Sequence, residues 1–352
     1  MMMKLFKTIS TGLFLSQHFV LYLCLAYFVV LWAIFPHMAG SRNLSNIASN
    51  MWPLLALVVG QLFVLVIGGI DLSQTSIMAL TSVAGAALMS EQVDPVLFSK
   101  SPLWGSLLSS SGGFLAGNDF AVVAAIVVML TLGALVGLMN GVSVAYFNMP
   151  PFIVTLVSMM FFSGTAIFLT ASENITHLPS QFITLGKGGI SVISYSFLIV
   201  LSLSLLAHVL LTRTVLGRQM VAVGLNRQAA VISGIAAKRL IVTAYIFSGL
   251  CAAIGSILYS ARLEGGRPTL GQDLLLDVIG AAVIGGISLF GGKGKVIWAF
   301  YGVLFFVLLS NSLNMMNLSF FTIDMVKGAV ILLAALLDVL RRRVSAGKKA
   351  AL

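Results

Sequence analysis

In the stretch "VIGGIDLSQTS", Val66 to Ser76, a single carboxylate, Asp71, stands between long apolar runs. A carboxylate in or near hydrocarbon is costly, so it must face protein or water and find partners there. Two kinds of chemistry suit it. It can accept backbone N–H groups as the N-cap of a helix that starts after Gly68 and Gly69, or it can relay a proton or hold a substrate. Its residue type and its place at a break between two apolar runs favour the cap. Gly68, Gly69 and Asp71 are therefore read together as a structural helix break. Asp277 and Asp324 are further carboxylates in apolar surroundings, and Asp324 with Lys327, three residues on, is placed to neutralise it.

The uncharged polar residues inside apolar runs are the other candidates. Gln61, Asn140, Ser143, Thr155, Ser158, Asn311 and Asn314 could line a conduit, and each reads equally well as an interhelical hydrogen bond. Asn311 and Asn314 share one helix face.

Several chemistries are excluded. "FGGKGK", Phe290 to Lys295, resembles a phosphate loop, but Ile287 and Leu289 stand where glycine is required, and Gly294 and Val296 stand where Ser or Thr must follow. It reads as a tight inner turn. His18, His37, His177 and His208 have no ligand spacing and HExxH and CxxC are missing, so no metal site is expected. Cys24 and Cys251 fall inside apolar segments and read as small buried hydrophobes.

The elements that must position these residues follow from composition. Of 352 residues 59% are hydrophobic and 9% charged, too few charges for a soluble domain of this size. The chain is expected to be an all-α integral membrane protein. A hydrocarbon core about 30 Å thick needs ~20 apolar helical residues. Ten spans meet this, approximately 13–35, 51–68, 74–90, 121–147, 152–171, 191–212, 240–261, 273–290, 296–316 and 322–340. The first is too long for a signal-peptide core and no small-residue cleavage site follows it, so it is expected to be retained.

Lys4 and Lys7 make the N-terminus cytoplasmic, and an even count returns the C-terminus to the same side. Fourteen basic residues then fall inside: Lys4, Lys7, Arg213, Arg218, Arg227, Lys238, Arg239, Lys293, Lys295, Arg341, Arg342, Arg343, Lys348 and Lys349. Five fall outside: Arg42, Lys100, Lys187, Arg262 and Arg267. The net charge of +10 is thus a topology signal, and nucleic acid is not an expected partner.

Two polar outer loops, 91–119 and 171–189, are large enough to meet an external partner, or else are simply mobile. The inner loop 213–239, with "TVLGRQMVAVGLNRQAAVISGIAAKR", has basic residues, no acidic ones, and Gly217, Gly224 and Gly234 as punctuation. It suits short helices separated by turns along the membrane surface. Such a loop binds lipid headgroups or docks a cytoplasmic protein.

The loop's "LGRQMVAVGLNRQAAVISGI" resembles the cytoplasmic loop of bacterial ABC importer permeases for monosaccharides and autoinducer-2, a branch that also resembles branched-chain amino-acid permeases. "GGIDLS" (68–73), "MPPFIVTL" (149–156), "LDVIGAAVIGGISLFGGKGK" (276–295) and "SFFTIDMVKGAVILLAALLD" (319–338) match in order along nearly the whole chain. Arg227 and Gln228 stand where the family carries an acidic residue, and Leu225 where glycine is common.

The resemblance implies a single permease domain over 1–352 without enzyme activity or a cofactor of its own, built as inverted five-helix halves. It implies a cytoplasmic ATPase, which holds ATP and Mg, coupled through Leu216, Gly217, Arg218, Ala222, Gly224, Asn226, Ala229, Ala230, Ser233, Gly234 and Ile235. It further implies a periplasmic solute-binding protein, a second permease subunit forming a homodimer or heterodimer, surrounding membrane lipid, and a place in the bacterial inner membrane. The cargo would be a small sugar or sugar-like solute, for which weak, sparse contacts in the pathway are expected. The competing reading is a proton-coupled secondary transporter using Asp71, Asp277 or Asp324. "VIGGIDL" (66–72) and "VIGGISL" (283–289) lie six spans apart, out of register with a five-helix repeat, and read as local reuse or chance.

Overall fold

The computed structural model describes residues 16, 18–191 and 193–350. Lys4 and Lys7 lie outside the described residues, as do the side chains of Arg341, Arg342, Arg343, Lys348 and Lys349. The helices are α1 (Phe19–Ile34), α2 (Ser41–Val66), α3 (Gln74–Met89), α4 (Ala121–Ala145), α5 (Pro151–Thr170), α6 (Ser180–Lys187), α7 (Tyr195–Arg213), α8 (Val215–Leu225), α9 (Arg227–Ile232), α10 (Ala237–Arg262), α11 (Leu275–Gly285), α12 (Val296–Met315) and α13 (Phe320–Ala350). Among the described residues α2, α4, α5, α7, α10 and α12 are long and apolar enough to cross a membrane. The strands are two-residue hairpins, 108–109 with 112–113 and 189–190 with 193–194. The protein is therefore an all-α membrane protein.

Helix ends are written into the chain by residues that tolerate positive φ. Gly68 at φ 82° ends α2, with the N–H groups of Gly68 and Gly69 donating to the carbonyls of Leu65 and Val64. Gly286 at φ 96° ends α11 the same way, through Val283 and Ala282. The expected span 273–290 is thus shorter than hydropathy suggests, because the apolar run continues past a backbone reversal. At α2 the difference runs the other way. The helix starts at Ser41 rather than near 51, since its first turns are polar and escape a hydropathy window.

The chain forms two compact units, one of residues 52–275 and 288–296, the other of 1–51, 276–287 and 297–352. In the first, α4 meets α10 through glycines one turn apart. A Cβ on Gly133 would lie 2.5 Å from the Gly249 carbonyl oxygen, one on Gly137 2.3 Å from that of Tyr245, and one on Gly249 2.0 Å from that of Gly133. Only glycine permits that backbone approach, which is how helices associate where apolar surface alone gives no drive. The loop 91–119 packs onto the end of α3, where Gly113 and Leu115 N–H groups donate to the Ser90 and Leu88 carbonyls at 2.7 and 2.8 Å. Phe98 and Leu108 are buried beneath it.

In the second unit, α11 and α12 approach through Gly302, whose Cβ would lie 1.8 Å from the Ala281 carbonyl oxygen. Tyr27 of α1 hydrogen-bonds Ser312 at 2.6 Å. Lys327 is buried and pairs with Asp277, its Nζ 2.8 Å from Oδ1 and 3.0 Å from Oδ2. This corrects the expectation that Lys327 neutralises Asp324. Both residues are on α13, but the ammonium leaves that helix for a carboxylate in α11.

Candidate functional site

The interval between α2 and α3 contains Gly68, Gly69 and Asp71. Gly69 has no room for a side chain, since a Cβ would lie 2.8 Å from the Tyr245 Oη. Asp71 is buried. Its Oδ1 accepts from the Ser73 N–H at 2.9 Å and the Ser73 Oγ at 2.6 Å, and its Oδ2 accepts from Ser248 Oγ of α10 at 2.6 Å. Asp71 is accordingly not the N-cap of α3. Ser73 holds that position, without a side-chain cap bond, and Asp71 folds the preceding turn by accepting the N–H two residues on. The reason is the length of the break, which places the carboxylate two residues too early to reach the first turn of α3.

A polar network extends from there through five helices. Asn140 of α4 donates to Ser73 Oγ at 2.8 Å, and Ser158 of α5 donates to Asn140 Oδ1. Thr155 of α5 donates to the Ile70 carbonyl at 3.3 Å. Gln74 of α3 donates to Ser248 Oγ at 2.9 Å and to the Leu57 carbonyl at 3.1 Å. With the amide of Gln61 turned to suit both neighbours, its nitrogen donates to the Asp71 carbonyl at 3.0 Å and its oxygen accepts from the Asp71 N–H at 3.3 Å. Asp71 takes no part in the Lys187–Glu264 or the Lys327–Asp277 ion pair.

Of the seven candidate pathway residues, Gln61, Asn140, Thr155 and Ser158 are thus gathered around Asp71, buried, with polar atoms engaged by neighbouring helices or backbone. Ser143 donates to the Met139 carbonyl of its own helix at 2.8 Å. Asn311 exchanges amide bonds with Asn43 at 2.8 and 3.1 Å, and Asn314 is exposed and donates to the Ser310 carbonyl at 2.8 Å. Asn311 and Asn314 share a helix, yet not a partner. Sequence reasoning missed Ser73, Gln74 and Ser248. Ser73 and Gln74 lie two and three residues after Asp71 and were readable as neighbours, whereas Ser248 lies 177 positions away with no local signal.

The loop 213–239 holds the second feature. Thr214 caps α8 by accepting the Gly217 N–H at 3.3 Å, and Asn226 caps α9 by accepting the Ala229 N–H at 3.0 Å. Leu216, Gly217, Arg218, Ala222 and Gly224 lie on α8, and Ala229 and Ala230 on α9. Ser233 follows α9, then Gly234 at φ 82°, then Ile235, whose N–H closes the turn onto the Ala230 carbonyl at 3.0 Å. Met220, Val223 and Ala230 are buried, whereas Leu225 is 72% exposed and Ile232 87% exposed. Arg218 and Arg227 are exposed beside them.

Gly224 fastens this loop to the helix break. A Cβ there would lie 1.8 Å from the Val66 carbonyl oxygen and 2.6 Å from the Gly292 nitrogen. The Gly292 N–H in turn donates to the Val66 oxygen at 2.8 Å. Gly291 and Gly292, at φ 88° and 73°, make the "FGGKGK" turn that brings this N–H into place. Among the described residues no group of three His, Cys, Asp or Glu side chains could hold a metal ion.

Comparison with known proteins places these features in context. Residues 43–335 match the family model described as branched-chain amino acid transport system / permease component. The chain is 34% identical to the ribose import permease protein of Bacillus subtilis (strain 168) over 281 residues, 79% of each chain. It is 29% identical to the L-arabinose ABC transporter permease protein of Azospirillum brasilense over 90% of this chain and 86% of that one. It is 30% identical to the D-allose transport system permease protein of Escherichia coli (strain K12) over 85% and 83%. No solved structure matches the chain.

Proposed function

The chain belongs to the branched-chain amino acid transport system / permease component family, and on that premise we propose that it carries a small sugar, of the pentose or hexose class, into the cytoplasm. It is the transmembrane permease subunit of an ATP-binding-cassette importer and a multi-pass protein of the bacterial inner membrane. Ten spans, taken as the six long apolar helices with α1, α3, α11 and α13, would give cytoplasmic termini and inverted five-helix halves.

One observation carries the coupling. The loop 213–239 presents exposed Leu225 and Ile232 beside Arg218 and Arg227, and Gly224 fits it directly onto the Val66 carbonyl. Solvent-facing apolar side chains of that size beside unpaired cations suit a protein partner, here the ATPase that would bind ATP and Mg. Movement of α8 and α9 would pass through Gly224 and Val66 into the break, and so into the hydrogen bonds that tie Asp71 to α10. A second permease subunit would complete the pathway, and a periplasmic binding protein would deliver solute to the loops 91–119 and 171–189.

The carboxylates give a proton-coupled carrier little support. Asp71 is hydrogen-bonded at both oxygens, and Asp277 is held by Lys327. Sugar uptake into proteoliposomes holding permease, ATPase and binding protein tests the assignment. Uptake should require internal ATP and ignore a protonophore. Uptake without ATP that collapses with the protonophore would overturn it.

A further inference from the structure

At the ends of α4 and α10 that face the cytoplasm in the orientation proposed above lies a groove of about 530 Å³, lined by Leu138, Val142, Tyr146, Arg239, Val242 and Thr243. Its two ends differ in chemistry. Arg239 and Tyr146 stand at the mouth, both exposed, and Lys238 Nζ lies 5.2 Å from the Tyr146 ring centre. Leu138 stands two helical turns before Tyr146 along α4, roughly 12 Å further into the span. A cation and a tyrosine at the interface with an aliphatic trough behind them are the two halves of a lipid.

Among the described residues no carboxylate forms an ion pair with Arg239 or Lys238. Between Phe120 and Leu263 the sole acidic residue is Glu173, which belongs to the outer loop 171–189. A soluble partner reaching the mouth would meet Arg239 and Tyr146, whereas Leu138 lies at a depth that suits an acyl chain.

We infer that this groove between α4 and α10 is a binding site for an anionic phospholipid, with the phosphate at Arg239 and Lys238 and one acyl chain along Val242, Val142 and Leu138. The site anchors the start of α10, the helix that also carries Ser248 of the Asp71 network.

Native mass spectrometry of the purified full-length permease tests this, with palmitoyl-oleoyl phosphatidylglycerol and the matching phosphatidylcholine as probes. The wild type should retain phosphatidylglycerol in preference. Arg239→Gln should lower that retention about fivefold, the effect of one basic residue at an anionic surface, and Arg239→Lys should keep most of it. Leu138→Trp, which fills the trough, should also lower retention, with helical circular dichroism unchanged. Inorganic phosphate should not compete. Equal retention by wild type and Arg239→Gln, or equal retention of the two lipids by the wild type, would overturn the site. Displacement by inorganic phosphate would reduce it to an anion site without an acyl trough. Cross-linking of a cysteine at Val142 to a second permease copy would assign the groove to a subunit contact instead.

Discussion

Gly224 and Val66 touch backbone to backbone: a Cβ on Gly224 would stand 1.8 Å from the Val66 carbonyl oxygen. Replacing Gly224 by alanine therefore forces α8 away from the end of α2 and pushes a methyl against both the Val66 oxygen and the Gly292 N–H bonded to it. We expect Gly224→Ala to lower the thermal midpoint of the purified permease as well as uptake. An unchanged midpoint with normal uptake would show that the contact bears no part of the fold or its coupling.

Gly234 separates backbone conformation from packing. It sits at φ 82° with open space around its α-carbon, so Gly234→Ala meets no neighbour but strains the turn by about 1 kcal/mol. The variant should insert and fold, yet lose part of its co-purification with the ATPase. Full co-purification and full uptake would argue against a role for this turn in docking.

Asp71 should tolerate asparagine best. Asn keeps an acceptor for the Ser73 N–H and a polar atom for Ser248; Ser keeps the first but is too short for the second; Ala keeps neither. Each buried donor left unpaired costs about 1–3 kcal/mol, so stability and uptake should fall in the order Asn, Ser, Ala. If Asn proves as inactive as Ala while remaining folded, the negative charge itself is needed and the structural reading fails.

The Lys327–Asp277 pair is buried, so removing one partner takes away the opposite charge that faces the other. Lys327→Met or Asp277→Asn alone should destabilise by roughly 3–5 kcal/mol, and the double substitution should recover much of that loss. Asp324→Asn should have little effect. Denaturation midpoints of the four variants decide it, and additive losses in the double variant would mean the two side chains do not interact.

Cysteines at Ser111 and Gln181, both exposed, should react with an impermeant thiol reagent from outside the cell, and one at Gln228 only from inside. Native Cys24 and Cys251 are buried and should stay silent. Labelling from the opposite sides would invert the orientation.

Much of the fold was legible because a bilayer imposes one length and one charge rule on every span. The apolar runs 121–147, 152–171 and 296–316 became helices at 121–145, 151–170 and 296–315. Where hydropathy misjudged an end, a local feature was responsible: the polar turns from Ser41 to Asn50, and the reversal at Gly286. The inner loop was also readable as short helices, since Thr214, Asn226 and Gly234 act on residues within four positions of themselves.

What the sequence by itself determined is thus what depends on neighbours in the chain and on the solvent: most of the apolar helices, their breaks, and the family. The tertiary structure alone decided which polar groups meet. Ser248 reaches Asp71 across 177 positions and Lys327 reaches Asp277 across 50. Gly292, in the turn after "VIGGISL", donates its N–H to the Val66 oxygen at the start of "VIGGIDL", a contact between segments 226 positions apart. A carboxylate, amide or ammonium in a low-dielectric interior must find a partner, but its chemistry specifies only the kind of partner; the packing of glycine-lined helices selects the one it meets.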